Sequence, residues 1–357
     1  MFKPMNNVHN VERLRPVPPH LLPRHPVINF YYLTPENQSM LKTRFIPRLD
    51  RTVTRLGLGA LPMGPLQRTL TVAEGARVVR AAVEGGITFI DTATLYGTYE
   101  HIAQGLKGWT GTVTIATKTH AKTDRGLAEK HVETALKELG RDTIDIMLCH
   151  CARNRFSEDE WGPTLEALLA ARDKGLIRMV GISTHSAVGA LEAARHLDLE
   201  VVHPLINIKG MGILEGGVED MLAAIREAHR AGKFVYAMKS LAGGNFVPNR
   251  EEALRFIFDN DEIDAVVVGM VTPQEVDWNL RFASGLPIPA ELNRNTALSS
   301  KRLSIVALAC EGCGECVEQC ENGALSVVDG KAVVDHERCI LCGYCAPHCQ
   351  RLAIRMV

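Results

Sequence analysis

Between about residue 53 and residue 283 the apolar and polar positions switch repeatedly between two periods. Short β-branched and apolar runs fall at 55–61, 88–92, 113–119, 144–150, 177–183, 201–207, 233–239 and 265–270. Runs of this length and composition read as buried strands. Between them lie stretches with apolar residues three and four apart, as in TVAEGARVVRAAVEG over 71–85, and again at 127–139, 163–174 and 218–231. That spacing lines one face of a helix. Gly85, Gly140, Gly175 and Gly232 follow these stretches, as expected where a helix must stop. Strands separated by helices pair in parallel, because a parallel connection needs a crossover. Eight such units in about 230 residues predict an α/β protein with a closed (β/α)8 TIM barrel, not an open doubly wound sheet. The glycines of GLGALPMG at 57–64 do not make a dinucleotide loop. Pro62 takes the third glycine's place, and no acidic residue follows at a strand end roughly 20 positions on. They read as the first barrel strand and its turn.

The flanks break this rhythm. Residues 1–40 hold seven of the seventeen prolines and show neither a helical nor an alternating period. Such an arm buries too little apolar surface to offset its ordering entropy, so disorder or surface wrapping is expected. Met40 opens a more regular stretch and is a candidate alternative start. The barrel is placed at 41–283, and 284–308 reads as a linker containing Pro287 and Pro289. Residues 309–357 form a small α+β domain on an internal repeat: CxxCGxCxxxCxxxAL at 310–325 recurs as CxxCGxCxxxCxxxAI at 339–354. The 357 residues are 46% hydrophobic and 23% charged, with a formal net charge of −1, a soluble globular composition. That balance excludes a chain disordered throughout and offers no charged footprint for nucleic acid or a membrane surface. No apolar run approaches the roughly 18 residues of a membrane span. The N-terminus lacks a charged-then-apolar leader, so a cytoplasmic location is the default expectation.

Eight of the ten cysteines fall between 310 and 349, and in a cytosolic protein such clustering points to metal, not disulfides. The spacing is Cys310-x2-Cys313-x2-Cys316-x3-Cys320, then Cys339-x2-Cys342-x2-Cys345-x3-Cys349. It resembles the bacterial two-cluster ferredoxin domain, in which three cysteines of one run and the fourth of the other hold each cube. The resemblance implies two [4Fe–4S] clusters. Cys310, Cys313, Cys316 and Cys349 would bind one, and Cys320, Cys339, Cys342 and Cys345 the other. Gly314 and Gly343 are expected where the backbone approaches the inorganic sulfides. The proline usual after the fourth cysteine is replaced by Glu321 and Gln350, which alters the loop exit and not the ligand count. Zinc prefers two separated pairs of ligands and fits this pattern poorly.

A barrel's active site belongs at the C-terminal ends of its strands. Asp91 ends the second strand, Tyr96 follows it, Lys118 ends the third and His150 ends the fourth. Together these make an acid–base centre: a lysine stabilises a phenolate and lowers its pKa, and a carboxylate holds the lysine. A histidine at the same point orients or protonates a carbonyl oxygen. The motifs FIDTATLYG (89–97), IATKT (115–119), DIMLCH (145–150), KGLIRMVGIS (174–183), SLAGG (240–244) and VVVGMVTPQEVDWN (266–279) resemble the aldo/keto reductase superfamily across the whole barrel. By that resemblance Asp91, Tyr96, Lys118 and His150 are the catalytic tetrad, with Tyr96 the proton donor and Lys118 tuning it.

The same resemblance implies NAD(P)H, held by Ser183, Ser240, Leu241, Gly243, Gly269 and Asn279. The usual Ser-Asn pair reads Ser183-Thr184, and Met238 stands where many members stack a tyrosine on the nicotinamide. The loop 270–279 has no basic residue, and Glu275 replaces a frequent arginine. These departures favour NADH over NADPH. Cys149 and Cys151 flank His150, but neighbours on a strand face opposite sides. With His150 facing the lumen, both cysteines face the helices as core. His203 and His229 carry no spacing signal.

A barrel followed by a ferredoxin module resembles the iron–sulfur branch of the aldo/keto reductases. Nicotinamides pass electron pairs as hydride, whereas each cubane passes one electron. No flavin signature is legible, and a bound flavin stays open as the switch between the two. Three readings follow: clusters relaying electrons to a flavin or a redox partner, clusters as a structural or redox-sensing appendage, or a barrel drawing electrons straight from the clusters. The expected function is an oxidoreductase that reduces a carbonyl or oxidises an alcohol of a small molecule through Tyr96, with ferredoxin or a flavoprotein as redox partner. The alternative is an electron-transfer subunit whose barrel is a docking scaffold.

Overall fold

A computed structural model describes residues 41–151, 156–297, 302–346, 348–351 and 353–356. The Pro-rich arm at 1–40 lies outside them. Eight parallel strands close into a barrel: β3 (Leu56–Gly59), β4 (Phe89–Asp91), β5 (Thr114–Thr119), β6 (Ile144–Cys151), β7 (Ile177–Thr184), β8 (Val201–Pro204), β9 (Phe234–Ala237) and β10 (Ala265–Gly269). All eight strands expected from the sequence are present. Leu58 pairs with Ile90 on one side and Val268 on the other, which closes the ring.

Side-chain parity explains why these strands read as nearly unbroken apolar runs. Phe89, Ala116, Ile146, Leu148, Met179, Val201, Tyr236 and Val267 fill the interior. Their neighbours Ile90, Ile115, Met147, Cys149, Val180, Val202, Val235 and Val266 pack outward beneath the helices. Both faces of every strand are therefore buried. Cys149 is fully buried in the outer layer, a packing residue as expected. A hairpin of β1 (Thr43–Ile46) and β2 (Arg51–Thr54) precedes the barrel. Its Ile46, Leu49 and Val53 join the strand-start residues Phe89, Val201, Phe234 and Ala265 in one cluster, closing the barrel floor.

The helices stop much as their glycines suggest. Gly140, Gly175 and Gly232 take left-handed φ values of 63°, 77° and 74°. After Val72–Glu84 the left-handed residue is Gly86, one later than expected, with Gly85 still right-handed. The helix expected from 163 begins at Glu158, because Ser157 caps it and three acidic residues fill its first turn.

The stretch read as a linker is not structureless. It contains the helix Ala290–Ala297, whose Thr296 and Asn293 accept hydrogen bonds from Arg250, and whose Asn293 accepts one from the Trp278 indole. β11 (Leu303–Ile305) then pairs antiparallel with β14 (Ile354–Met356), and β12 (Leu325–Val328) with β13 (Lys331–Val334). The cysteine region's own sheet thus starts before residue 309. Among the described residues no helix is long and apolar enough to cross a membrane.

Candidate active site

Asp91, Lys118 and His150 share the parity of the inward residues Phe89, Ala116 and Leu148, so all three turn into the barrel at its C-terminal end. Lys118 Nζ lies 2.7 Å from both Asp91 oxygens and donates to the Thr92 carbonyl at 2.8 Å. Lys118 is 1% exposed and Asp91 4%. Burying two charges is costly, and it is tolerable only with full hydrogen bonding. Tyr236 helps by donating its hydroxyl to Asp91 Oδ2 at 3.0 Å. His203 stacks on the Tyr236 ring with centroids 3.8 Å apart, its Nδ1 2.6 Å from the Tyr236 carbonyl. That contact places the proton on Nδ1 and leaves Nε2 3.8 Å from Asp91 Oδ2. Burial pushes Asp91 up and Lys118 down in pKa, while each pulls the other back toward its charged form.

Tyr96 sits on the 3-10 turn Thr94–Tyr96 just beyond β4. Its geometry corrects the expected tuning. Lys118 Nζ lies 4.9 Å from the ring centroid and spends its hydrogen bonds on Asp91 and Thr92. Burial, then the Asp91 charge, push the phenol's pKa up, not down. Tyr96 is therefore a protonated phenol here. The His150 ring stands edge-on to it, centroids 5.9 Å apart. Burial, followed by the Lys118 charge, holds His150 well below its ordinary range, so it is neutral.

One cavity of about 1210 Å³, open mouth included, joins this centre to the expected cofactor side. Asp91, Tyr96 and His150 border it, as do Met238, Ser240, Leu241, Gly243, Gly269 and Asn279. Ser183 does not border it; it is buried at the end of β7 and its Oγ has no hydrogen-bond partner. Asn279 donates to the Glu275 carbonyl at 2.8 Å and leaves Oδ1 unpartnered. The Glu275 carboxylate accepts the Val271 N–H at 2.7 Å, so it occupies a donor at the loop after β10.

The cysteines gather crosswise, as the spacing suggests. Cys310, Cys313, Cys316 and Cys349 line one cavity, and Cys320, Cys339, Cys342 and Cys345 line another. Backbone N–H groups of Ala332, Ala324 and Ala353 point at the sulfurs of Cys310, Cys320 and Cys349 at 3.3, 3.1 and 3.3 Å. Among the described residues no three His, Cys, Asp or Glu side chains converge as a single-ion site; each set encloses a space.

The second cysteine loop is seated on the barrel. Gln67 donates to the Leu341 carbonyl at 3.2 Å and Asn245 to the Cys339 carbonyl at 2.8 Å. A Cβ on Gly243 would lie 1.9 Å from the Ile340 carbonyl, so this residue also serves the docking. A Cβ on Gly343 would lie 2.0 Å from the Leu66 carbonyl, so this residue too serves the docking. His185 Nδ1 is 3.7 Å from Glu321, which stands in the missing proline's place. The Tyr344 hydroxyl lies 3.3 Å from His150 Nε2, and Tyr344 borders the barrel cavity. Tyr236, His203, Glu321 and Tyr344 are the residues that sequence reasoning missed. Parity with Val201 and Phe234 could have found the first two; no local signal marks the others.

Residues 55–252, more than half of the chain, match the aldo/keto reductase family, and residues 332–355 match a 4Fe-4S binding domain. The L-galactose dehydrogenase of Arabidopsis thaliana is 24% identical over 288 residues, covering 69% of this chain and 89% of that protein. The aldo-keto reductase YhdN of Bacillus subtilis is 33% identical over 150 residues, 37% of this chain and 44% of that protein. The chain spans about half the length of several other curated relatives. Among solved structures, the holo form of aldo-keto reductase AKR11C1 from Bacillus halodurans superposes with a TM-score of 0.57 at 20% identity, covering 72% of this chain and 95% of that one. That likeness concerns the fold alone. With more than half of its length matched, this chain belongs to the aldo/keto reductase family and is an oxidoreductase with a C-terminal 4Fe–4S binding domain.

Proposed function

We propose that the chain reduces a carbonyl, or oxidises the corresponding alcohol, at Tyr96, with two [4Fe–4S] clusters carrying electrons to or from the site. The observation that carries this reading is the meeting of Asp91, Tyr96 and His150 at one cavity, with Lys118 buried behind it against Asp91, and with the second cysteine loop seated on the same barrel. Each cysteine set suits a cube: four thiols around a cavity, with backbone N–H groups aimed at the sulfurs to stabilise thiolates. The cofactor side suits a nicotinamide, given that Asn279, which borders the cavity, leaves its Oδ1 without a partner among the described residues. The Glu275 carboxylate opposes a 2′-phosphate, which favours NADH. When bound, a nicotinamide supplies hydride and each cluster one electron.

The chain's own groups handle the proton. Tyr96 donates from Oη to the carbonyl oxygen, and neutral His150 orients that oxygen from Nε2. Lys118, held by Asp91, keeps a positive charge beside the ring as the phenolate forms. Exposed Cys313 marks the first set as the face where ferredoxin or a flavoprotein would dock.

The test is anaerobic. Holoprotein with about eight irons per chain is supplied with 4-nitrobenzaldehyde and NADH, NADPH or reduced viologen. Tyr96→Phe should slow reduction about 100-fold or more, the scale of one acid–base group, with iron content unchanged. Unchanged turnover in that variant would remove Tyr96 from the chemistry.

A further inference from the structure

Tyr344 belongs by sequence to the cysteine region, between Cys342 and Cys345, and by position to the barrel. We propose that Tyr344 is a positioning residue of the barrel's site: its hydroxyl holds His150 Nε2 and, beside Tyr96, walls the point where a substrate oxygen is received. This deepens the reading of Tyr96 and His150 given above and rests on it.

Three independent observations lead here. First, buried His150 Nδ1 has no hydrogen-bond partner, so among the described residues the imidazole's one hydrogen bond is that with Tyr344 at 3.3 Å. Which ring nitrogen of a neutral histidine carries the proton is set by its partners. With a hydroxyl facing Nε2 and no partner facing Nδ1, the tautomer and the orientation of the ring are set at Nε2, on the cavity side. Second, Tyr344 cannot drift. Its loop is tied to the barrel by Asn245 at the Cys339 carbonyl and Gln67 at the Leu341 carbonyl, and Gly343 packs against the Leu66 carbonyl with no space for a side chain. Third, the cysteine spacing does not need a tyrosine here. The same place in the first half of the repeat is Glu315, which lies against Gln350 within its own region. The aromatic phenol appears only in the copy whose loop reaches His150.

The consequence is mechanical. The loop that carries Cys342 and Cys345 also sets the His150 proton, so the barrel's site is complete only when the cysteine region is docked.

The experiment uses oxidised holoprotein with 15N-labelled histidine, the His150 signals being assigned by their loss in His150→Gln. Tyr344→Phe keeps the ring and removes the hydroxyl. Iron and sulfide content should be unchanged, the His150 Nε2 resonance should move, and its two tautomers should mix. With 4-nitrobenzaldehyde and NADH, kcat should fall about 5- to 10-fold, the scale of one hydrogen bond, with KM within about twofold. Tyr344→Gln, which restores a polar group, should recover part of the His150 shift. An unmoved His150 signal in Tyr344→Phe overturns the proposal. So does loss of iron in both variants, which would assign the tyrosine to cluster assembly. If the His150 signal moves while Tyr96→Phe leaves turnover unchanged, the Tyr344 contact stands and the carbonyl-reduction reading fails.

Discussion

Gly314 and Gly343 occupy the same place in the two halves of the repeat, with φ values of 85° and 83°. A Cβ on Gly314 would meet nothing within 4 Å; one on Gly343 would lie 2.0 Å from the barrel's Leu66 carbonyl. The contrast extends along both loops. Gly312, left-handed at 68°, corresponds to Leu341, which holds φ at 51° with its side chain buried. A leucine in that conformation costs about 1–2 kcal/mol, a cost offset by burying its side chain while its carbonyl receives Gln67. Cys313 is exposed, whereas its counterpart Cys342 is partly buried. The same glycine turn is open in the first loop and pressed on the barrel in the second.

The largest effects should come from removing one thiol of each set. Cys313→Ala should lose viologen-linked reduction to background while NADH-dependent reduction persists, because the loop that carries Cys313 does not carry Tyr344. Cys342→Ala should lose both, because its loop also anchors Tyr344. Viologen-linked activity that survives in a Cys313→Ala protein shown to lack the first cluster would break the relay.

Next come the matched glycines. Gly314→Ala should cost about 1–2 kcal/mol for the left-handed conformation alone. Gly343→Ala should cost about 3 kcal/mol or more, since overpacking adds to strain. Chemical denaturation of the two holoproteins at equal iron content measures the gap; equal losses would mean the second loop is not pressed on the barrel.

A smaller effect concerns acid. Burial, then the Lys239 charge, push His185 down to about 3 from an ordinary 6.5. The folded state keeps it neutral while the unfolded chain takes up a proton below 6.5. Stability is thus full above about 6.5 and is lost as pH falls toward 3, at up to about 1.4 kcal/mol per unit. Buried His150 and His203 act in the same sense. His185→Gln should flatten the fall in thermal midpoint between pH 7 and 5.5 by one proton's worth, and an unchanged slope would count against a buried neutral His185.

The smallest effect belongs to the outer loop. Arg351 and Glu311 pair at 2.7 Å with side chains 61% and 58% exposed. Glu311→Ala should cost less than about 1 kcal/mol by thermal denaturation. A larger loss would show the first loop to be held more firmly than its exposure implies.

Much of this was legible from the chain alone. The eight strands appeared as β-branched runs and the tetrad as polar residues at their ends, because a barrel strand alternates inward and outward with a period of two. The two runs of four cysteines were legible because their spacing repeats, and the crosswise sets were implied by the ferredoxin resemblance. The helix that begins at Glu158 starts ahead of its apolar period, because its first turn is set by the Ser157 cap and three acidic residues. The linker helix was missed because its burial comes from Arg250 and Trp278, far away in sequence.

Sequence by itself determined which residues could do chemistry here: eight thiols in two runs, and Asp91, Tyr96, Lys118 and His150 at four strand ends. Spacing and parity are local properties, and local backbone geometry enforces them. Only the tertiary structure decided what those residues meet. It gave Lys118 to Asp91 and not to the Tyr96 oxygen, set Tyr236 and His203 beneath the carboxylate, and brought Tyr344 to His150 across 194 positions of chain. Such pairings depend on how two folded surfaces seat against each other to within an ångström, and no periodicity along the chain encodes that distance.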